Sequence, residues 1–300
     1  MGFIILHSRF SMRGFLLLIF AAPGMLSAQS QPVELGAIHW LRSMEQAQVQ
    51  SQEEQKPILI LFQEVPGCAT CRNYGREVLT YPLIVEAIET EFIPLVVYNN
   101  IAGHDAEILR RYNEPSWNNP VVRIVNNNGE DILPRLSGNY SLSGLASRIR
   151  QALIELNGKA PAYVQLLADE LSAIQLGTAS ITFSMHCFWT GEALFGKING
   201  VVKTTAGFQS GKEVVVVEYD PRLMTKAQLD KIAEGQSCHA ETQGNIRPDS
   251  TPKYYLSKSK YRHIPMTELQ KCRVNSALAE KQNPDEFLSP RQLVMVRTED

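Results

Sequence analysis

The chain lacks any excess of basic residues and any long run of like charge. With 29 Lys+Arg against 31 Asp+Glu, its formal net charge is −2, which excludes the electrostatic footprint of a nucleic-acid binder. After the first thirty residues no apolar run approaches the ~20 residues that a bilayer span requires. Cysteine is scarce, five in 300 residues, so the chain is not a small disulfide-stapled scaffold. Five is also odd, and at least one thiol has no partner within the chain. A second Cys-x-x-Cys is absent, which removes the four-cysteine zinc clip. What remains is an ordinary apolar fraction, 44%, in a chain long enough for about two domains of ~100–200 residues.

The N-terminus carries an export signature. Arg13 precedes the apolar run Phe15 to Ala22, and Leu26-Ser27-Ala28 reads as a cleavage site before Gln29. This is the order of regions in a secretory signal peptide, residues 1–28, and its apolar run is too short for a membrane anchor. Met12 can serve as the start, since residues 1–11 add nothing a signal needs. The expectation is a periplasmic or secreted protein that meets the membrane only through this signal, in a compartment where disulfides persist.

Residues 32–158 read as a first module. An amphipathic stretch from His39-Trp40 to Glu54 is followed by the apolar run Pro57 to Phe62, which reads as a strand buried on both faces. Val65-Pro66-Gly67-Cys68-Ala69-Thr70-Cys71 comes next, then helical sequence from Arg72 to about Glu91. Phe92 to Tyr98 reads as a strand, Asp105 to Tyr112 as a helix and Pro120 to Val125 as a third strand. Asn126-Asn127-Asn128-Gly129 is hairpin chemistry leading to a partner strand over Ile132 to Leu136, and a helix over Ser141 to Leu156 closes an α/β domain. Cys68 and Cys71 fall where a strand ends and a helix begins. The partial positive charge and free N–H groups of a helix N-terminus favour thiolate, so the first cysteine should titrate below ~8.5. Three-residue spacing lets the second sulfur attack a mixed disulfide on the first. The other readings of such a pair are a metal clip or a structural bridge.

This order, strand, Cys-x-x-Cys, helix, strand, helix, Pro-led strand, hairpin, helix, resembles the thioredoxin fold over nearly the whole module. The resemblance implies that Cys68 attacks, Cys71 resolves, and Pro120 is a cis-proline facing the dithiol. Gly67 departs from the tryptophan found there in many members, and the long helix at 39–54 looks more like envelope thioredoxin-like domains.

Gly158-Lys159-Ala160-Pro161 breaks the chain, and residues 159–177 read as a helical connector ended by Gly177. A second module over 178–300 follows. Ser180 to Met185 alternates as a strand and leads to His186-Cys187-Phe188-Trp189. Thr190 to Ile198 reads helical, Val201 to Phe208 and Glu213 to Tyr219 as strands, the latter β-branched and central, and a helix runs from Thr225 to about Gly235. Cys187 repeats the thiol at a strand–helix junction, a position that a buried structural cysteine also occupies.

Cys187-Phe188-Trp189, the sequel Glu192-Ala193-Leu194-Phe195, the Gly200-Val201-Val202 strand and the strand from Glu213 to Tyr219-Asp220-Pro221 resemble the A-type peptide-methionine sulfoxide reductases, from about Ile181 to Tyr255. What this implies is reduction of the S-epimer of methionine sulfoxide: Cys187 attacks sulfur and becomes a sulfenic acid, Phe188 and Trp189 line a pocket for the methyl group, and Glu213, Asp249 and Tyr254 occupy the family's acidic, Asp and Tyr positions. Developing charge on the departing oxygen calls for such proton donors, and the valines beside Glu213 suggest apolar burial that keeps it protonated. The chain departs from the family's pattern at His186 and Thr190, at Phe208 where a second phenol is expected, in a short loop between Gly207 and Glu213, and in lacking the usual C-terminal His and cysteine tail. His186 can lower the thiol pKa if cationic, or be a plain exposed histidine.

Cys238 and Cys272 have three readings: a structural bridge, a resolving thiol for a Cys187 sulfenic acid, or bystanders, with the first module's dithiol attacking Cys187. Cys238, in a segment read as flexible between Gly235 and Pro248, is the favoured resolver. The expected function is an exported, thiol-dependent reductase of peptide methionine S-sulfoxide, Cys187 the nucleophile and Cys68/Cys71 the electron relay, without bound metal or cofactor. Its partners would be oxidised methionine in exported proteins and an envelope or membrane electron donor. Two rivals stand: a thiol–disulfide oxidoreductase with a degenerate second module, and a non-enzymatic metal- or partner-binding protein.

Overall fold

Pro57 to Phe62 is apolar at every position because the strand it forms faces a hydrophobic core on each side. In the computed structural model, which describes residue 2, residues 31–242 and residues 244–298, helix α1 (Met44–Glu54) precedes strand β1 (Ile58–Gln63), all of it buried. Leu59 and Leu61 enter one core, and Ile58, Ile60 and Phe62 the other, as the two-residue period of a strand dictates. There follow α2 (Ala69–Glu77), α3 (Pro82–Glu91), β2 (Ile93–Tyr98), α4 (His104–Arg111), β3 (Val121–Val125), β4 (Leu136–Ser137), α5 (Leu142–Asn157) and α6 (Ala162–Leu176). The sheet runs β2-β1-β3-β4, with β1 parallel to β2 and antiparallel to β3. Helices α1 and α4 cover one face through Met44, Ala47, Ile108 and Leu109. Helices α3, α5 and α6 cover the other. The helix read as a connector is therefore packed: Tyr163, Val164, Leu167 and Leu171 of α6 are part of the first module's core.

The second module opens with β5 (Ala179–Ser184) and α7 (Phe188–Gly196), continues through β6 (Val201–Gln209), β7 (Lys212–Tyr219), α8 (Lys226–Glu234), β8 (His239–Glu241) and β9 (Arg247–Pro248), and ends in α9 (Tyr254–Ser257), α10 (Glu268–Ala279) and α11 (Pro290–Thr298). Its sheet is antiparallel in the order β8-β5-β7-β6-β9. The valine-rich β7 is central, and stacked Phe183 and Phe195 rings, 4.9 Å apart, fix α7 against its neighbour β5. Both sheets belong to one compact unit from Gln31 onwards. The buried Glu86 of α3 accepts from Ser289 Oγ and the Arg291 N–H, and Glu170 of α6 accepts from the Glu268 and Leu269 N–H groups. Carboxylates of the first module thus satisfy free donors at the starts of α11 and α10.

Several sequence-based boundaries move, each for a local reason. The helical stretch at 39–54 starts only at Met44, capped by Ser43, because Leu41 bridges to Leu95 of β2 instead. The single helix expected from Arg72 to Glu91 is two, since Pro82 is tolerated at a first helical position but not inside a helix. The partner strand expected over Ile132 to Leu136 shrinks to β4; Ile132 still donates to Ile124, but Pro134 has no N–H to extend the ladder. Helix α7 begins two residues earlier than expected, directly after Cys187. The segment from Gly235 to Pro248, read as flexible, contributes both edge strands of the second sheet. The signal-like residues 1–28 lie, Gly2 apart, outside the described residues, among which no helix is long and apolar enough to cross a membrane.

Candidate functional site

Two thiol centres emerge, each at the start of a helix. In the first, Cys68 is the N-cap residue of α2 and exposed, whereas Cys71 one turn on is fully buried. Their sulfurs are 3.5 Å apart, and Cys71 Sγ–H donates to Asn119 Oδ1 at 2.7 Å. Asn119 precedes Pro120 through a cis peptide, so the Pro-led strand delivers its amide to the dithiol. Gly67 has a steric reason: a Cβ there would lie 2.4 Å from the Glu64 carbonyl oxygen and 2.6 Å from Cys71 Cβ. No tryptophan fits. The Gly67 N–H donates to Glu34 Oε1 at 2.8 Å, and buried Gln63 donates to the Glu34 and Cys71 carbonyls.

The two thiols are electrostatically unlike. The Cys71 N–H at the helix start holds the Cys68 thiol below the ordinary thiol range, against opposition from slight burial and Glu64. Burial, helped by the neighbouring Cys68, pushes Cys71 up to about 12. Near neutral pH the reduced pair is an exposed nucleophile beside a protonated partner. In a pH series with iodoacetamide, Cys68 should be alkylated first, its rate rising at a pH below the ~8.5 of a free thiol. Mass mapping that found Cys71 modified first would reverse the assignment.

In the second centre Cys187, half-buried, is the N-cap residue of α7. Glu213 Oε2 accepts from the Phe188 N–H at 2.9 Å, so the carboxyl sits at the same helix start as the thiol. Glu213 is half-buried at the open end of β7, not enclosed by the valines as expected, because the strand emerges there from the core. Trp189 Nε1 donates to Asp249 Oδ2 at 2.9 Å, and the Tyr254 ring stacks on the indole, 4.0 Å between centroids and 15° between planes. Phe188 meets Phe208 edge-on at 5.2 Å, with the Arg247 guanidinium over the Phe208 ring. Glu213, Phe188, Trp189, Asp249 and Tyr254, spread over 67 positions from first to last, thus form one connected set around the start of α7. A cleft of about 400 Å³ opens beside it, lined by Ser184, Met185, His186, Lys212, Glu213, Ser237 and His239. Phe188 and Trp189 are not part of that lining. Phe188 is buried and one face of Trp189 is covered by Tyr254. His186 is exposed.

Cys238 and Cys272 are both buried, Cys238 between two residues, Ser237 and His239, that line the cleft. All five cysteines are free thiols, so the bridge between these two is not formed. Cys238 is buried in the core beside Leu229 and Ala233, and burial raises its pKa. Cys272 is fully buried on α10, its sulfur 3.6 Å from Thr204 Oγ1 on β6.

Sequence reasoning missed the buried support under Tyr254. Lys253, with φ of 55°, donates through its backbone N–H to Glu192 Oε2 at 2.8 Å and through Nζ to Glu192 Oε1 at 3.1 Å and to the Thr204 carbonyl. Glu192 Oε1 also accepts from the Ala206 N–H. This buried pair ties the Cys187 helix to the Asp249–Tyr254 segment. A lysine in a polar loop gives no signal of burial; only the acidic residue one turn after Phe188-Trp189 hinted at a role. Asn119, Glu34 and Glu64 were missed for the same reason, being polar residues brought to the dithiol by chain reversal.

Comparison with known proteins follows the same division. Residues 39–127 match the thioredoxin-like family model. The chain is 43% identical over 63 residues to peptide methionine sulfoxide reductase A5 of Arabidopsis thaliana, covering 17% of this chain and 25% of that protein. It is 31% identical over 100 residues to peptide methionine sulfoxide reductase MsrA of Corynebacterium diphtheriae, covering 28% and 44%. A solved DsbH oxidoreductase chain is 16% identical, covering 44% of this chain and 94% of its own, with a TM-score of 0.34. The chain spans less than half the length of these sulfoxide reductases. It is a fusion of a thioredoxin-like domain with a region similar to peptide methionine sulfoxide reductase.

Proposed function

We propose that the protein is a thiol-dependent oxidoreductase that reduces peptide methionine S-sulfoxide in exported proteins, with Cys187 as nucleophile and Cys68/Cys71 as electron relay. The observation that carries this reading is the assembly of Cys187, Glu213, Trp189, Asp249 and Tyr254 at one helix start. The Cys187 sulfur attacks the sulfoxide sulfur, the S–O bond breaks, methionine leaves, and the oxygen remains on Cys187 as a sulfenic acid. Glu213 and Tyr254 are the groups able to supply the proton that oxygen needs. Trp189, half-buried, is the ring left to offer apolar surface to the methyl group; Phe188 is buried and packs edge-on against it.

Cys68 then attacks the sulfenic sulfur and water leaves. Cys71 displaces Cys187 from the mixed disulfide as a thiol, and the dithiol, having given up the two electrons that reduced the sulfoxide, is left as a Cys68–Cys71 disulfide. The relay reading is supported by the exposed, low-pKa Cys68 and by the burial of Cys238 and Cys272. An envelope or membrane donor would re-reduce the disulfide.

The test is turnover of separate S- and R-sulfoxide epimers of a methionine peptide with dithiothreitol as donor. S-selective turnover is expected. A folded protein with a reactive dithiol and no turnover of either epimer would move the function to disulfide exchange at Cys68 and Cys71.

A further inference from the structure

Among the described residues, Glu64, Cys68 and Cys71 form a group whose ligating atoms all lie within 4.8 Å of one another. The absence of a second Cys-x-x-Cys argued against zinc, but folding supplies a third ligand from a direction that a cysteine scan cannot see. Glu64 directly follows β1, and the chain returns over Gly67 to start α2 at Cys68. The tight turn at Gly67 keeps the segment from Glu64 to Cys71 folded on itself.

We propose that the reduced dithiol together with Glu64 is a zinc site, with two thiolates and one carboxylate as ligands and a fourth position open to water or another donor. In a tetrahedral site with Zn–S near 2.3 Å, two sulfurs stand about 3.8 Å apart; here they are 3.5 Å apart. One carboxylate with two thiolates suits a borderline ion such as Zn²⁺. Cu⁺ would be satisfied by the sulfurs alone and would make no use of Glu64. Cys68 is exposed and Glu64 half-buried, so the ion enters from solvent on that side. Binding breaks the Cys71 hydrogen bond to Asn119 Oδ1 and sends the Cys71 proton to solvent. No electron is transferred. Zinc and the Cys68–Cys71 disulfide compete for the same sulfurs, so zinc holds the dithiol reduced and unable to pass electrons until the ion is removed. Zinc binding does not rest on the sulfoxide chemistry proposed at Cys187, although an occupied site would stop the relay of electrons to it.

The experiment titrates ZnCl₂ into the reduced chain under anaerobic conditions, against a chromophoric zinc chelator, with proton release followed in parallel. One zinc per chain is expected, with none bound by the disulfide form. Cys71→Ser should remove binding, and the near-isosteric Glu64→Gln should weaken it about tenfold or more, with circular dichroism and thiol counting showing that variant folded and reduced. Absence of one-to-one binding by the reduced parent would overturn the proposal, as would a Glu64→Gln variant that binds zinc as tightly as the parent.

Discussion

Cys187→Ser should lower S-sulfoxide turnover by about three orders of magnitude or more, the scale on which loss of a nucleophile is felt, while leaving Cys68 alkylation unchanged. The serine hydroxyl has the same place at the start of α7 and the same neighbours, Glu213 at the Phe188 N–H and Trp189 beside it, but an oxygen cannot take up the sulfoxide oxygen as a sulfenic acid does. The dithiol lies in the other module on a different helix, so its reactivity is a control for folding. Cys238→Ala should keep turnover close to the parent's in the same assay, since no step of the proposed relay uses this thiol, which is packed in the core against Leu229 and Ala233. A Cys238→Ala variant as dead as Cys187→Ser would make Cys238 the resolving thiol and remove the relay from the mechanism.

Glu192→Gln should destabilise the fold by about 3–5 kcal/mol, the cost of leaving one member of a buried ion pair without its partner. That is a large share of the ~5–15 kcal/mol that holds a domain folded. Glu192 is fully buried and Lys253 is 6% exposed, so no water replaces the lost carboxylate. Burial alone would pull the Lys253 pKa down; the Cys272 sulfur and Glu192 outweigh it and raise it. A raised folded-state pKa means that the stabilisation is complete below the unfolded lysine's ~10.4 and is lost as pH rises through the folded value. Chemical denaturation across pH 7–11 therefore should show parent and Glu192→Gln furthest apart near neutrality and converging at the alkaline end. Replacing both partners by methionine should recover much of the loss, because matched apolar groups need no partner. A Glu192→Gln chain within 1 kcal/mol of the parent, a small fraction of the scale for such pairs, would show that the pair contributes little. The same substitution loosens Tyr254, which directly follows Lys253 and stacks on Trp189.

The sequence by itself determined the two thiol centres and the order of elements around them. An all-apolar run before Cys-x-x-Cys, and an alternating run before Cys187, each ending at the start of a helix, are local signals, because strand and helix periods are written in consecutive residues. The central place of β7 was legible for the same reason: four consecutive valines suit a strand with neighbours on both sides. Breaks at Pro82 and Pro134 were legible in principle, since a missing N–H acts where it stands. Only the tertiary structure decided which polar residues serve the thiols. Glu64 and Asn119 beside Cys71, Glu213 on the Phe188 N–H, and Glu192 under Lys253 are pairings across up to 61 positions. Hydrogen-bond geometry there depends on sheet register and helix docking, and no short-range pattern encodes either. Burial likewise separated the cysteines, giving Cys68 to solvent and Cys71, Cys238 and Cys272 to the interior. A thiol's accessibility is set by what packs over it, and that is a property of the fold.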